Sequence, residues 1–334
     1  MTRPLHLLPL AFLLAACQAA VPPSQSLGRD QVLAIQQRID QRYPEQPEDE
    51  RKALLQQVLT AIDNMLFVEG GTFEMGDFGW IDGYDWTNMC EWPCGQPREE
   101  LFKITYKADT IPLHKVRLDS FYLSKYHTTY GENDRYRRLN GIPLYGSELS
   151  ELQRKVGLLR PRRLSDPKAF LPDLPAGTNG WQDAKGYCLW LGELSGLPVD
   201  LPTEAQYEYA ARSRGRYVVY ATDNGSINEG RNINDKSRIQ PVGSFPPNPL
   251  GLYEMGANVA SWVNDWYAAD YYEHSPVDNP QGPETGTYKV IRGSDAYSSR
   301  DLAMTTWRHH SDPNEGGSTT SIRCAIQQST PLRQ

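Results

Sequence analysis

The stretch "LPTEAQYEYAAR", Leu201 to Arg212, decides the fold. Thr203 stands three residues ahead of Gln206 at the mouth of the run. That is capping-box spacing: the threonine hydroxyl accepts the N–H of residue 206, and the glutamine side chain reaches back to the N–H of residue 203. A helix opening at Thr203 follows. Just upstream, "DAKGYCLWLGELSG" (183–196) puts Ala184, Cys188, Leu191 and Leu194 on one stripe at helical spacing, and Gly196 ends it.

Further out the chain reads as short strands and turns. "MLFVEGGTFEMGD" (65–77) is strand, Gly-Gly turn, strand. "HKVRLDSFYLSKYHTT" (114–129) alternates through Val116, Leu118, Phe121 and Leu123, and "GLYEMGANVASWVNDWY" (251–267) and "KVIRGSDAY" (289–297) are strand and loop. Towards the N-terminus two helical patterns appear, separated by "YPEQP" (43–47). Val32, Ile35 and Ile39 share one face, and Leu54, Leu55, Val58, Ile62 and Met65 another. The pair is expected to pack on the main domain, the alternative being a docking surface for a partner. No repeat of 20–50 residues is visible.

Charge narrows the possible partners. The 334 residues carry a net charge of -7, and no basic stripe offsets it, which excludes a nucleic-acid partner. The "RPRRL" cluster at 160–164 is short and reads as a solvated loop. The first residues, "MTRPLHLLPLAFLLAAC", join one basic residue, Arg3, to an apolar run from Leu5 to Ala16 that is short for a bilayer span and suits a secretory leader. "LAAC" (14–17) resembles the bacterial lipobox, which implies cleavage after residue 16 and lipid on Cys17. Gln18 in place of an aspartate directs such a lipoprotein to the outer membrane, with the body in the oxidising periplasm.

The expected division is a leader over 1–16, a lipidated tether over 17–26, a helical segment over 27–64 and the main domain over 65–328. Within it, about 78–112 is an acidic, tryptophan-rich insertion. Setting Cys17 aside leaves Cys90, Cys94, Cys188 and Cys324, which allow three pairings. Cys90 and Cys94 are near enough to clip a local loop, which would leave Cys188 and Cys324 to close a long one. A metal site on Cys90 and Cys94 lacks a second ligand pair nearby.

Taken in order and spacing, "FVEGGTFEMGD", "SFYLSKYHTT", "GWQDAKGYCLWLGELSGLPVDLPTEAQYEYAARSRG", "GLYEMGANVASWVNDWY" and "SIRCA" resemble the formylglycine-generating enzyme family, the sulfatase-modifying-factor domain. The resemblance covers roughly 65–328. It implies an α+β fold related to C-type lectins, with little regular secondary structure, and a Cys188–Cys324 disulfide. It also implies structural calcium, held near Asn232 and Ile233 with Asp235, and near Gly256 and Asn258 with Glu254 standing in for the carboxylate that Ser261 lacks.

Members that make formylglycine need two thiols in the loop after the "RGGS" block, a soft set suited to Cu(I). Here that loop is "RGSDAYSSRDLAMTTWRHH" (292–310), with no cysteine. Ser298 and Ser299 are neutral hydroxyls without redox chemistry, so copper is not expected. Trp307 and Arg308 read as scaffold at the cleft, with Arg308 placed to hold a partner's carboxylate. His309 and His310 are adjacent, so in an extended segment they face opposite ways and make a poor pair for one metal, and His114 and His127 lie far away in sequence.

The resulting expectation is a periplasm-facing lipoprotein that has kept the fold for binding, a non-catalytic accessory protein with an envelope-protein partner, as in type VI secretion. The alternatives are a cysteine-independent periplasmic oxidase of the sulfatase-modifying or siderophore-maturation type, and a lectin-like glycan binder that stacks sugars on Trp80, Trp86 or Trp92. In an insertion loop such tryptophans more often cover the domain's own apolar surface.

Overall fold

The computed structural model describes residues 22–81, 92–149, 154–155, 160–235 and 238–333. The Cys17 and Trp86 readings, and the Cys90 half of the local clip, lie outside them. Cys94 is disulfide-bonded.

Two helices open the described chain, α1 (Arg29–Arg42) and α2 (Glu48–Asp63). Their buried faces hold Val32, Ile35 and Ile39, then Leu54, Leu55, Val58, Leu59 and Ile62. Both pack on the cysteine-bearing helix, so the pair belongs to the main core.

β1 (Met65–Val68) and β2 (Gly71–Met75) are separated by two residues but do not pair with each other. Each takes one half of the next strand pair, β3 (His114–Leu118) and β4 (Phe121–Ser124). Val68 lies opposite Phe121 in one sheet, and Gly71 opposite Leu118 in another. Gly70 makes this crossover possible. A Cβ there would stand 2.4 Å from the Leu118 carbonyl oxygen, so no larger residue fits.

α3 (Tyr130–Leu139) follows, capped by Thr129 and Glu132. The "RPRRL" cluster forms a short helix, α4 (Arg162–Ser165), instead of a solvated loop. Arg163 forks onto Asp134 at 2.7 and 3.0 Å and lies 4.8 Å from the Phe170 ring centre, which removes it from free solvent.

α5 (Trp181–Ser195) is the cysteine helix, closed by Gly196 in the left-handed region at φ 74°. A side chain at Gly196 would also strike Arg38, whose Nη1 donates to the Ser195 carbonyl and so ties α1 to the end of α5. Cys188 is bonded to Cys324, with Cα atoms 5.5 Å apart, joining α5 to the last strands. β5 (Val199–Asp200) then leads into α6 (Glu204–Ala211) through the capping box: Thr203 Oγ1 accepts from Gln206 N at 3.1 Å, and Gln206 Oε1 accepts from Thr203 N at 2.9 Å. Every residue of α6 is buried.

The remaining strands are β6 (Ala260–Trp266), β7 (Lys289–Arg292), β8 (Arg308–Ser311), β9 (Thr320–Ser321) and β10 (Ala325–Ile326), with α7 (Tyr271–His274) after β6. The sheets run β1-β4-β10-β5 and β8-β7-β6-β9, and β2-β3 stands apart. This is an α+β fold. α6 lies at its centre, against β2, β3, β6 and β7. In the insertion, buried Asp77 accepts N–H groups from Gly79, Ile104 and Thr105 at 2.9–3.0 Å and closes the base. Trp80 and Trp92 pack on Phe78, Ile104 and Val219, so they cover the domain's own surface.

Candidate functional site

The family loop begins at the end of β7. Arg292 is buried, and Gly293 turns at φ 77° where a Cβ would meet the Tyr207 hydroxyl at 2.9 Å. Asp295 then organises the turn. Its Oδ1 accepts from Tyr297 N and its Oδ2 from Ser298 Oγ, both at 2.8 Å. Ser299 precedes a single 3-10 turn, Arg300–Ala303, and its carbonyl accepts from Leu302 N. Arg300 pairs with Glu229, and Thr305 Oγ1 donates to the Val218 carbonyl at 2.6 Å. Ser298 is therefore spent on its own turn, and Tyr297 is a large side chain turned outward, 56% exposed.

Trp307 and Arg308 are not cleft residues. Trp307 is 2% exposed, edge-on to Tyr106 and beneath the Lys107 ammonium, with its indole N–H donated to His309. Arg308 is fully buried. Its Nε and Nη2 lie 2.7 and 2.9 Å from the two oxygens of Glu204, its Nη1 donates to the Asp109 carbonyl, and its guanidinium stacks 4.2 Å from the Tyr272 ring. The partner carboxylate expected at Arg308 is thus supplied internally, from the first residue of α6. Arg292 bridges Glu204 and Glu208, and Arg212 completes the chain on Glu208, each link at 2.8 Å. Burial drives the Glu204 carboxyl upward, but Arg308 and Arg292 outweigh it and hold the group below its usual range. Asp265, whose Oδ2 accepts from Glu204 N, is pushed up to about 7 by burial and then by the Glu204 charge.

The histidines stay apart. His310 stacks on Tyr267 at 3.9 Å while His309 turns to Trp307, and His309 is pushed down to about 4 by burial and then by Lys107. His127 is buried between Ser261 Oγ and Arg323. His114 leans on Tyr272. Among the described residues no three His, Cys, Asp or Glu side chains are grouped to hold a metal.

The expected calcium residues do structural work of another kind. Asn258, at φ 75°, clamps the backbone of Gln240: its Oδ1 accepts the N–H at 2.9 Å, and its Nδ2 donates to the carbonyl at 3.0 Å. The two oxygens of Glu254 take the N–H groups of Gly243 and Phe245. Gly256 lets the Ala303 carbonyl approach. Asn232 turns its amide nitrogen to oxygens of Asp223, Asn224 and Ser226, and its own oxygen accepts from Asn228 N. Ile233 is buried beside it, and its carbonyl accepts from Gly230 N; Asp235 lies two residues on. A hard cation needs several free oxygens converging on one point. Here the side-chain oxygens of Asn232, Glu254 and Asn258 each already accept a backbone N–H.

What opens beside the loop is a cavity of about 250 Å³, lined by Tyr297 with Tyr130, Arg162, Lys168, Arg238 and Ser318. Arg162 donates to Ser318 Oγ at 2.8 Å, and none of these three cations is in an ion pair among the described residues. Asp166 is the one carboxylate in the wall among the described residues. Leu164 and Leu171, from the same segment, are 72% and 50% exposed. The "RPRRL" cluster was the signal in the sequence for this wall; Arg238 gave none.

Residues 51–328 match the sulfatase-modifying factor enzyme 1-like domain. The chain belongs to that family. It is similar to the serine/threonine-protein kinase pkn1 of Chlamydia pneumoniae, 32% identical over 299 residues, which cover 88% of this chain and 42% of that protein. The chain thus spans less than half the length of this relative. It is also 33% identical over 174 residues to the formylglycine-generating enzyme of Streptomyces coelicolor, covering 46% of this chain and 53% of the enzyme. Among solved structures, PvdO from Pseudomonas aeruginosa superposes with a TM-score of 0.59 at 26% identity, over 79% of this chain and 94% of PvdO. Within this family fold, the loop at 292–310 has no thiol, and Cys94, Cys188 and Cys324 are disulfide-bonded.

Proposed function

We propose that the protein is a recognition module of the cell envelope: a sulfatase-modifying-factor fold kept without thiol chemistry, anchored by lipid on Cys17 to the outer membrane with its body in the periplasm. One observation carries the reading. The family's reactive loop has no cysteine, and it is knit into the scaffold through Asp295, Arg300 and Thr305. Chemistry has given way there to a projecting Tyr297 beside a cationic, partly apolar cavity. That surface suits a protein segment with acidic and apolar side chains, the composition expected of a partner to an accessory protein of an envelope assembly such as type VI secretion. The match to a region of a larger kinase-named protein supports an accessory role, because the same domain is there one part of a longer chain.

The test has two arms. The full chain is incubated with copper, oxygen and a cysteine-containing sulfatase peptide, and a photo-crosslinker is placed at position 297 in living cells. The expected outcome is no stoichiometric Cu(I) and no aldehyde mass on the peptide, with capture of an envelope protein that Arg238→Glu abolishes. A copper- and oxygen-dependent mass loss on the peptide would instead establish the oxidase reading. A Cys17→Ala variant that stays membrane-bound and labelled by palmitate would remove the lipid anchor.

A further inference from the structure

A second cavity, of about 270 Å³, lies where the end of α2 and the start of α3 meet α5. Asn64, Tyr126, Thr128, Glu132, Tyr187 and Leu191 line it, and none of its wall comes from the 292–310 loop. Glu132 is the feature that needs explaining. As the third residue of α3 it completes the Thr129 capping box, but through one oxygen: Oε2 takes the Thr129 N–H at 2.8 Å and the Thr129 hydroxyl at 2.9 Å. Oε1 accepts no hydrogen bond from any described residue, and no described lysine, arginine or histidine pairs with the carboxylate.

A carboxylate withdrawn from bulk water is normally paired, because leaving it alone is expensive. Here burial is what raises its proton affinity, and only the Thr129 bonds oppose it; no cation contributes. The nearby cations, and the His127 ring in the wall, are committed elsewhere; His127 spends its two nitrogens on Ser261 Oγ and Arg323. Arg135 bonds Glu50 and Gln57, and Arg323 bonds backbone carbonyls and His127. Besides the Asn64 amide and the His127 ring, the wall is mostly aromatic, hydroxylic or aliphatic: the rings of Tyr126 and Tyr187, the Thr128 hydroxyl and Leu191. An ammonium group has three donors and no acceptor, so it suits one free carboxylate oxygen with hydroxyls beside it. Tyrosine faces attract the same cation, and the aliphatic wall accepts an apolar body. The volume lies just below the roughly 300–1,000 Å³ of drug-sized sites, so the occupant is small.

We propose that this cavity is a receptor site for a small organic ammonium ion, its charged group on Glu132 Oε1 and its body against Tyr126, Tyr187 and Leu191. The site is independent of how the thiol-free loop is read. It is tested on the full chain by calorimetric titration with tyramine, with cadaverine, and with tyrosol, which has the body of tyramine but a hydroxyl in place of the ammonium. Glu132→Gln removes the charge yet keeps the capping box, since glutamine serves equally at that position. Expected is saturable binding of tyramine or cadaverine at one site per chain, at least roughly tenfold tighter than tyrosol, and weakened at least tenfold by E132Q at unchanged melting temperature. Ala61→Phe, which fills the cavity from α2, should abolish it and guards against a folding defect in E132Q. Equal affinity for tyramine and tyrosol, undiminished binding by E132Q or A61F, or no saturable binding of either amine at millimolar concentration would overturn the proposal.

Discussion

Arg308 lays Nε and Nη2 on the two oxygens of Glu204, 2.7 and 2.9 Å away, across 104 residues of chain and wholly out of water. The pair fastens β8 to the start of α6, and through Arg292, Glu208 and Arg212 the same chain of charges reaches the end of that helix. Removing one member of a buried pair leaves its partner charged and unpaired, which typically costs about 3–5 kcal/mol. Arg308→Ala is therefore expected to lose about that much in urea unfolding, and Arg308→Lys to recover little, because an ammonium cannot form the two-pronged contact. A loss under about 1 kcal/mol would mean that the network is not what holds α6 in place.

The same network predicts a pH signature at Asp265. Burial and the Glu204 charge raise its carboxyl to about 7, against about 3.9 in an unfolded chain. Between those values the folded state keeps a proton that the unfolded state has released. Stability from this group is thus highest at low pH and falls as pH rises through the window. Asp265→Asn keeps an acceptor for the Glu204 N–H and cannot ionise. Its stability relative to wild type should grow by up to a few kcal/mol between about pH 5 and pH 8. His309, depressed to about 4, loses stability as pH falls from about 6.5, but it is common to both proteins and cancels in the difference. A flat difference curve would mean that Asp265 titrates normally.

Cys188 and Cys324 are separated by 136 residues, so their bond constrains most of the domain in the unfolded state. A closed loop of that length gives about 5 kcal/mol by chain entropy. Cys188→Ser with Cys324→Ser is expected to lower the unfolding midpoint by a matching amount, and the wild type to do the same under reductant. If reductant leaves the midpoint where it is, the bond adds nothing to stability.

The parts of this fold that were legible in the sequence are those with short-range causes. The Thr203–Gln206 box and the stripe ending at Gly196 follow from hydrogen bonds and periodicities spanning a few residues, and both stand as read. The Gly-Gly turn between two apolar runs marked β1 and β2 as strands, but not that each pairs elsewhere; that depends on Gly70 fitting against the Leu118 carbonyl. Arg308 read as scaffold with its carboxylate partner still to come from outside, because the partner it has is 104 residues away on a helix with no exposed face. Asn258 and Glu254 were read as ligand oxygens from the family resemblance. Their hydrogen bonds to the backbone of Gln240, Gly243 and Phe245 leave no trace in the side-chain pattern. The Tyr297 cavity escaped for a similar reason: Arg162 and Arg238 meet only in the folded chain.

The two leading helices give the last prediction. Read from sequence they form a segment ahead of the domain, over 27–64, but their buried side chains share one core with Tyr187, Trp190, Leu191 and Leu194 of α5. Polar contacts lock the same junction: Trp190 Nε1 donates to the Tyr43 hydroxyl at 2.7 Å, and Arg38 Nη1 donates to the Ser195 carbonyl at 3.1 Å. A chain beginning at Met65 would expose the α5 face that these helices cover. Each large aliphatic side chain buried there contributes about 1.5–3 kcal/mol, so the eight named on α1 and α2 together are comparable to or larger than the roughly 5–15 kcal/mol net stability of a domain. The truncated chain is expected to be insoluble or to lack a cooperative melt, whereas a chain beginning at Pro22 should melt like the full protein. A soluble, cooperatively folding fragment from Met65 would show instead that the helices are an appendage, and that the α5 face is stable without them.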